Sequence, residues 1–176
     1  MKGQGQRQLG PWTGLGVSDG RRHPPRHDRN LILENLTFDD DALDDWRRIH
    51  NEIIPTAPLS APDVRERAGR NHLEVAYLDG VAVGCSTVRA PADDAVVVIA
   101  RVLPAYRRRG FGEQIYRRAL RKARESGAKH IDTVVLASNE DGLRFAVKHG
   151  FTEIDRYLLP GDVIPFIDLR WAQHSG

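Results

Sequence analysis

Residues 95–125, AVVVIARVLPAYRRRGFGEQIYRRALRKARE, decide how the rest of the chain is read. The run Ala95–Leu103 is dense in β-branched residues and stands between Pro91 and Pro104, which predicts a buried strand. Proline has no N–H to give a ladder, so the strand should stop at Pro104. From Gly112 to Glu125 the apolar residues Ile115, Ala119, Leu120 and Ala123 recur at helical spacing. Arg117, Arg118, Arg121, Lys122 and Arg124 fall largely on the opposite face. Between strand and helix lies Tyr106-Arg107-Arg108-Arg109-Gly110-Phe111-Gly112. A turn feeding a helix start leaves backbone N–H groups unpaired, with a partial positive charge along their direction. Gly110 and Gly112 permit tight bending and close approach, and the arginines add forked donors suited to phosphate oxygens. The sum predicts a pyrophosphate-binding turn.

Val102-Leu103-Pro104-Ala105-Tyr106-Arg107-Arg108-Arg109-Gly110-Phe111-Gly112 resembles the V-x-P-x-Y-[RQ]-x-x-G-x-[GA] signature of the GNAT superfamily of acetyl-CoA-dependent N-acetyltransferases. Strand, proline, arginine turn, paired glycines and amphipathic helix fall in the required order. A dinucleotide fingerprint fits worse, because Ile115 stands where its third glycine belongs. No stretch reads as a Walker A loop. The resemblance implies that acetyl-CoA is held by Arg107, Arg108, Arg109, Gly110, Phe111 and Gly112. It also implies main-chain N–H groups near Arg101, Val102 and Leu103 for the reacting carbonyl, where the central strand splays from its neighbour.

A second match, Asn139–Phe151 (NEDGLRFAVKHGF), is similar to the superfamily's N-x-x-[AG]-x-x-[LF]-Y-x-x-x-G-F segment. Asn139, Gly142, Phe145, Gly150 and Phe151 fit, and the resemblance implies that Asn139 contacts the cofactor arm. Ala146 stands where the superfamily places the tyrosine that protonates the departing thiolate. A thiolate leaves fairly readily, since a thiol pKa near ~8.5 is close to neutrality. Loss of that acid should therefore slow the reaction rather than forbid it.

At 176 residues the chain is long enough for one sizeable core, and no apolar run reaches membrane-spanning length. The basic N-terminus lacks the apolar region of a secretory signal, and a single cysteine, Cys85, fits a reducing cytoplasm. A net charge of only +2 argues against a dedicated nucleic-acid binder. Residues 1–29 hold six Lys/Arg against two Asp (6 − 2 = +4), so residues 30–176 carry −2. That first segment is rich in Gly, Arg and Pro and has no apolar period, so it reads as a disordered basic tail before a domain over 30–176.

Within the domain, Leu31–Leu36 reads as a strand, and Asp39, Asp40 and Asp41 as the acidic start of a helix carrying Leu43, Trp46, Ile49 and His50. Ser60-Ala61-Pro62-Asp63 reads as the start of a second helix to about Ala68, with either Ser60 as its cap or Pro62 at its first position. His72–Leu78 and Val81–Val88 form a hairpin about Asp79-Gly80. Gly127 closes the central helix, and Ile131–Leu136 follows as a strand. Ser138 with Asp141 reads as a capping box for a helix ending at Gly150. Phe151–Leu158 and Val163–Trp171 close the chain around Pro160-Gly161. The order predicts an α/β domain whose mixed, mostly antiparallel sheet is flanked by helices. It also matches the superfamily's element order.

Acetyl transfer to an amine needs a base, because an amine of pKa near ~10.4 is protonated at neutral pH. No residue stands out for it. Val96, Val98, Val134 and Val135 occupy the regions where superfamily members often carry a carboxylate. Asp93 and Asp94 read as turn-formers, Glu74 and His50 as residues that could face the cleft, and a water relay is equally open. Cys85 reads as a small core residue, and no His/Cys/Asp/Glu group has metal-ligand spacing. The basic face of the central helix reads as solvated.

These readings favour an N-acetyltransferase acting by direct attack of a small-molecule or peptide amine, with no metal and no membrane partner. The acceptor would lie near Trp46, Ile53, Ile54 and Thr56 and the last strands. A non-catalytic acyl-CoA-binding or sensing domain stands as the alternative, and a basic-helix nucleic-acid binder ranks third. Superfamily members commonly dimerise, so a homodimer is within the expectation.

Overall fold

The computed structural model describes residues 32–35 and 40–172. Along the chain these form β1 (Ile32–Asn35), α1 (Asp40–Ile53), α2 (Ala61–Arg70), β2 (His72–Leu78), β3 (Val81–Val88) and β4 (Ala95–Val102). A 3-10 turn over Pro104–Tyr106 leads to α3 (Phe111–Arg124), β5 (His130–Leu136), α4 (Glu140–Lys148), β6 (Phe151–Tyr157) and β7 (Phe166–Trp171). The expected tail 1–29, and Leu31, Leu36 and Asp39, lie outside the described residues. Among the described residues no helix is long and apolar enough to cross a membrane.

One sheet of seven strands runs in the order β1-β2-β3-β4-β5-β7-β6. Every pairing is antiparallel except β4–β5, so the predicted mixed, mostly antiparallel α/β domain is what forms. Asp79 (φ 51°) and Gly80 (φ 79°) both take the left-handed region, as the hairpin turn between β2 and β3 requires. Ser60 caps α2 through a reciprocal capping box with Asp63, and the helix continues to Arg70, past the expected end.

Two sequence expectations need correction. The N-cap of α4 is Asn139, whose side chain accepts from Gly142 N at 3.0 Å, and not Ser138. The Asn139 N–H returns to the Leu136 carbonyl at 2.8 Å, so the end of β5 holds Ser138 in a turn and delays the helix by one residue. The last strand begins at Phe166 rather than Val163. Pro165 has no N–H for a ladder, and a turn closed by Asp162 N to Leu159 O at 2.9 Å uses the residues before it.

Strand alternation divides the core. Val96 and Val98 face α3 and α4 and pack with Tyr116, Ala119, Ile131, Ala146 and Phe151. On the opposite face Cys85 and Leu103 pack with Trp46, Ile49 and Val64 of α1 and α2. Gly84 lets α3 lie tight on the sheet: a Cβ there would come within 2.7 Å of Ile115 Cδ1 and 2.6 Å of the Arg101 carbonyl oxygen.

Candidate active site

The two parallel central strands part company halfway along. β4 and β5 are in register only from Ala95–His130 to Val97–Asp132, while β4 runs on to Val102 paired with β3 alone. A cleft of about 530 Å³ occupies the opening. Its lining includes Tyr116, Phe145 and Ala146 from one side of the sheet and Ile53 and Ile54 from the other, so it passes through the sheet.

At one mouth stands the glycine–arginine turn. Arg108 (φ 62°) and Gly110 (φ 82°) adopt left-handed backbone and swing the chain into α3. No side chain caps that helix. The N–H groups of its first turn therefore have no intrahelical acceptor and present their positive end to the cleft. Arg107 and Arg108 line the cleft, but they differ. Arg107 Nε donates to the Val102 carbonyl at 3.0 Å, and Nη1 lies 3.6 Å from Asp141 Oδ2, which braces the turn between β4 and α4. Arg108 is exposed and makes no such brace. Arg109 lies outside the lining, its guanidinium 5.6 Å from the centre of the Tyr106 ring. Phe111 is buried with Leu78 and Val83, so its side chain packs in the core and lies outside the cleft lining. Gly112 and Asn139 both line the cleft. The Asn139 side-chain Oδ1 is engaged in capping α4, and the side-chain NH₂ is the group left for a ligand.

Arg101, Val102 and Leu103 divide by the ladder. Leu103 N–H donates to the Val83 carbonyl at 2.9 Å, and Arg89 N–H to the Val97 carbonyl at 2.9 Å. Antiparallel alternation then turns the N–H groups of 97, 99, 101 and 103 toward β3. The N–H of Val102 points the other way, into the opening. Of the three, Val102 is the one whose backbone donor is available.

The groups weighed as bases are mostly elsewhere. Asp93 and Asp94 sit exposed in a turn, with Asp94 2.7 Å from Lys129 Nζ. Glu74 is buried and held by Arg118 Nε at 2.8 Å and His72 Nε2 at 3.1 Å, away from the cleft. His50 stacks on Trp46 and bonds the Ala57 carbonyl at 3.1 Å. Burial, helped by the Arg101 guanidinium, pushes its pKa down to about 4, which leaves it neutral and a weak base. Cys85 is buried, and that burial pushes its thiol up to about 11. Among the described residues no cluster could hold a metal ion.

Two groups went unnoticed in the sequence. Asp168 pairs directly across from Val134, a lining residue, on the α1–α2 face of the sheet. Burial raises its carboxyl above the ordinary range, and Tyr157 Oη lies 3.5 Å from its Oδ1. The only sequence signal was a lone carboxylate in an alternating strand, FIDLRW, whose neighbour a sequence does not name. Tyr116 lines the cleft from α3 in the same core cluster as Ala146. Burial raises its phenol pKa, keeping it protonated.

Residues 36–151 match the model of the Acetyltransferase (GNAT) family. No curated protein matches the sequence. Among solved structures, a protein provisionally assigned as a phosphinothricin N-acetyltransferase is similar at 22% identity over 81% of this chain and 98% of that one, with a TM-score of 0.68. yncA from Salmonella typhimurium, solved with its cofactor acetyl-CoA, is similar at 15% identity over 83% and 96%, TM-score 0.66. The ribosomal-protein-S18-alanine N-acetyltransferase from Escherichia coli is similar at 16% identity over 84% and 99%, TM-score 0.66. At such identities these likenesses speak to the fold, and the family rests on the model match together with the turn and the split sheet. This chain belongs to the GNAT acetyltransferase family.

Proposed function

We propose that this protein moves an acetyl group from acetyl-CoA to an acceptor amine by direct attack. The observation that carries the reading is the β4–β5 opening lying beneath an uncapped, glycine-started helix with two arginines at its mouth. Those donors fit a diphosphate, and the apolar cleft wall beyond them fits a thin, uncharged arm. When bound, acetyl-CoA supplies a thioester carbonyl open to attack. In this reading Val102 N–H donates to the carbonyl oxygen, Asp168 takes the amine's proton directly or through a water, and Tyr116 supplies a proton to the thiolate in place of a tyrosine at 146. The acceptor, a small or peptide amine, enters from the side of Ile53 and Ile54. The proposal includes a cytoplasmic setting and a domain over 30–176 that works without residues 1–29.

Ala146 is the observation that favours a second reading, an acyl-CoA-binding domain without turnover. Calorimetry with acetyl-CoA, followed by thiol detection across an amine panel, tests both. Binding with amine-dependent CoA release supports transfer, binding without release supports the second reading, and no heat removes both.

A further inference from the structure

On the face of the sheet beneath α1 and α2, a guanidinium is held with no counter-ion among the described residues. Arg101 projects from β4 to that face, its central carbon 6.0 Å from the centre of the Trp46 ring, and it lines the through-sheet cleft. Its Nη1 is sealed from solvent and meets no hydrogen-bond acceptor among the described residues. The charged groups around it make the deficit worse. Arg67 of α2 and Arg89 beyond β3 both press on it with like charge. Among the described residues that act on it, Cys85, in hydrogen-bond contact with the guanidinium, is the one that could carry a negative charge, and burial keeps that thiol protonated. His50 of α1 is neutral and offers a lone pair at Nδ1, which is also buried without a partner. Among the described residues no carboxylate is a leading influence on the guanidinium.

Folding alone does not favour such an arrangement. A buried ion normally arrives with a partner, and an apolar residue of the same length would serve the core better. A water bridging Nη1 and the His50 lone pair could answer the hydrogen bonds but not the charge. What answers the charge is an anion that comes and goes through the cleft. Arg67 and Arg89 extend the positive region, since with Arg70 they also border a second cavity of about 410 Å³.

Resting on the acetyl-transfer reading, we infer that the acceptor amine carries a carboxylate, and that Arg101 binds it from β4 while the amine faces the cleft opening. The protein is thus an acetyltransferase of amino acids rather than of simple polyamines or neutral amines. The fork of the guanidinium suits a planar carboxylate, and loss of that carboxylate strands the buried charge again, which is a strong basis for discrimination.

The test uses the full chain with saturating acetyl-CoA. CoA release is measured for the L-amino acids, 4-aminobutyrate and 6-aminohexanoate, each against its C-terminal amide. The expected result is turnover of one or more free acids at about 30-fold higher kcat/KM than the matched amide. Arg101→Met brings that ratio to about 1 through KM, and Arg101→Lys keeps part of the preference. Arg101→Met also raises Tm, because it removes a half-buried charge whose sealed Nη1 has no partner among the described residues. Amides turned over as well as acids, neither set turned over, an acid preference intact in Arg101→Met, or a Tm that falls would each overturn the inference. Acetyl-CoA calorimetry on the same samples separates the two claims. No heat with the wild-type protein removes acetyl transfer itself, whereas heat with an acid-to-amide ratio near 1 removes only the carboxylate site.

Discussion

Arg107 ties the glycine turn to the end of β4, its Nε donating to the carbonyl oxygen of Val102 at 3.0 Å. The same residue whose carbonyl is held there turns its N–H into the cleft. The contact fixes the turn against the strand residue whose backbone donor the β3 ladder has already turned into the cleft. Arg107→Ala should cost about 1–2 kcal/mol of stability as well as cofactor affinity. Arg108→Ala, exposed and unbraced, should leave the urea midpoint within error and lower affinity alone. Equal effects of the two changes on the midpoint would contradict this division.

Gly110 and Gly161 both take positive φ, 82° and 90°, but only Gly110 lies at the cleft. Alanine at either position should cost about 1 kcal/mol, since left-handed backbone disfavours a Cβ. Acetyl-CoA affinity should fall for Gly110→Ala and stay unchanged for Gly161→Ala. Paired calorimetry and thermal melts read both quantities.

Much of this was legible beforehand. The strand, proline, turn and helix over 95–125 are local features, and local propensities fix them. The hairpin at Asp79-Gly80 and the cap at Ser60 were legible for the same reason. What a sequence does not display is which strands lie side by side. Asp168 reads as one acid in an alternating strand until β7 is seen next to β5, opposite Val134. Arg101 reads as part of a cofactor strand until its side chain is seen on the other face, beside Trp46. The three arginines of the turn look alike in order, yet one braces, one faces the cleft and one covers Tyr106.

Asp168 has a raised carboxyl pKa, from burial, against an ordinary value of 3.8. If it takes the amine's proton, the acid limb of kcat/KM follows that raised value, and Asp168→Asn loses the limb along with most of the rate. The sign for stability is the opposite of the usual carboxylate case. The folded protein holds this proton more tightly than the unfolded chain, so stability drops as pH rises from 3.8 through the folded value. Asp168→Asn should therefore be the more stable protein at pH 7. A less stable variant there would contradict the assignment.

His50 titrates the other way. Its folded pKa of about 4 lies below the ordinary 6.5, so its contribution is fully present above pH 6.5 and is lost as pH falls toward 4. The full shift corresponds to about 3–3.5 kcal/mol, of which about 2–2.5 kcal/mol is lost between pH 7 and pH 4.5. The stability of the wild-type protein relative to His50→Gln should shrink by that order between pH 7 and pH 4.5 in urea titrations. A difference that does not change with pH would show that His50 is charged or exposed in the fold.

The central claim is that the arginine–glycine turn binds the diphosphate of CoA, and calorimetry with acetyl-CoA tests it most directly. The account predicts binding that free CoA competes away, weakened at least about tenfold in the Arg108→Ala/Gly110→Ala double variant. An unchanged affinity in that variant, or no binding by the wild-type protein, would contradict it.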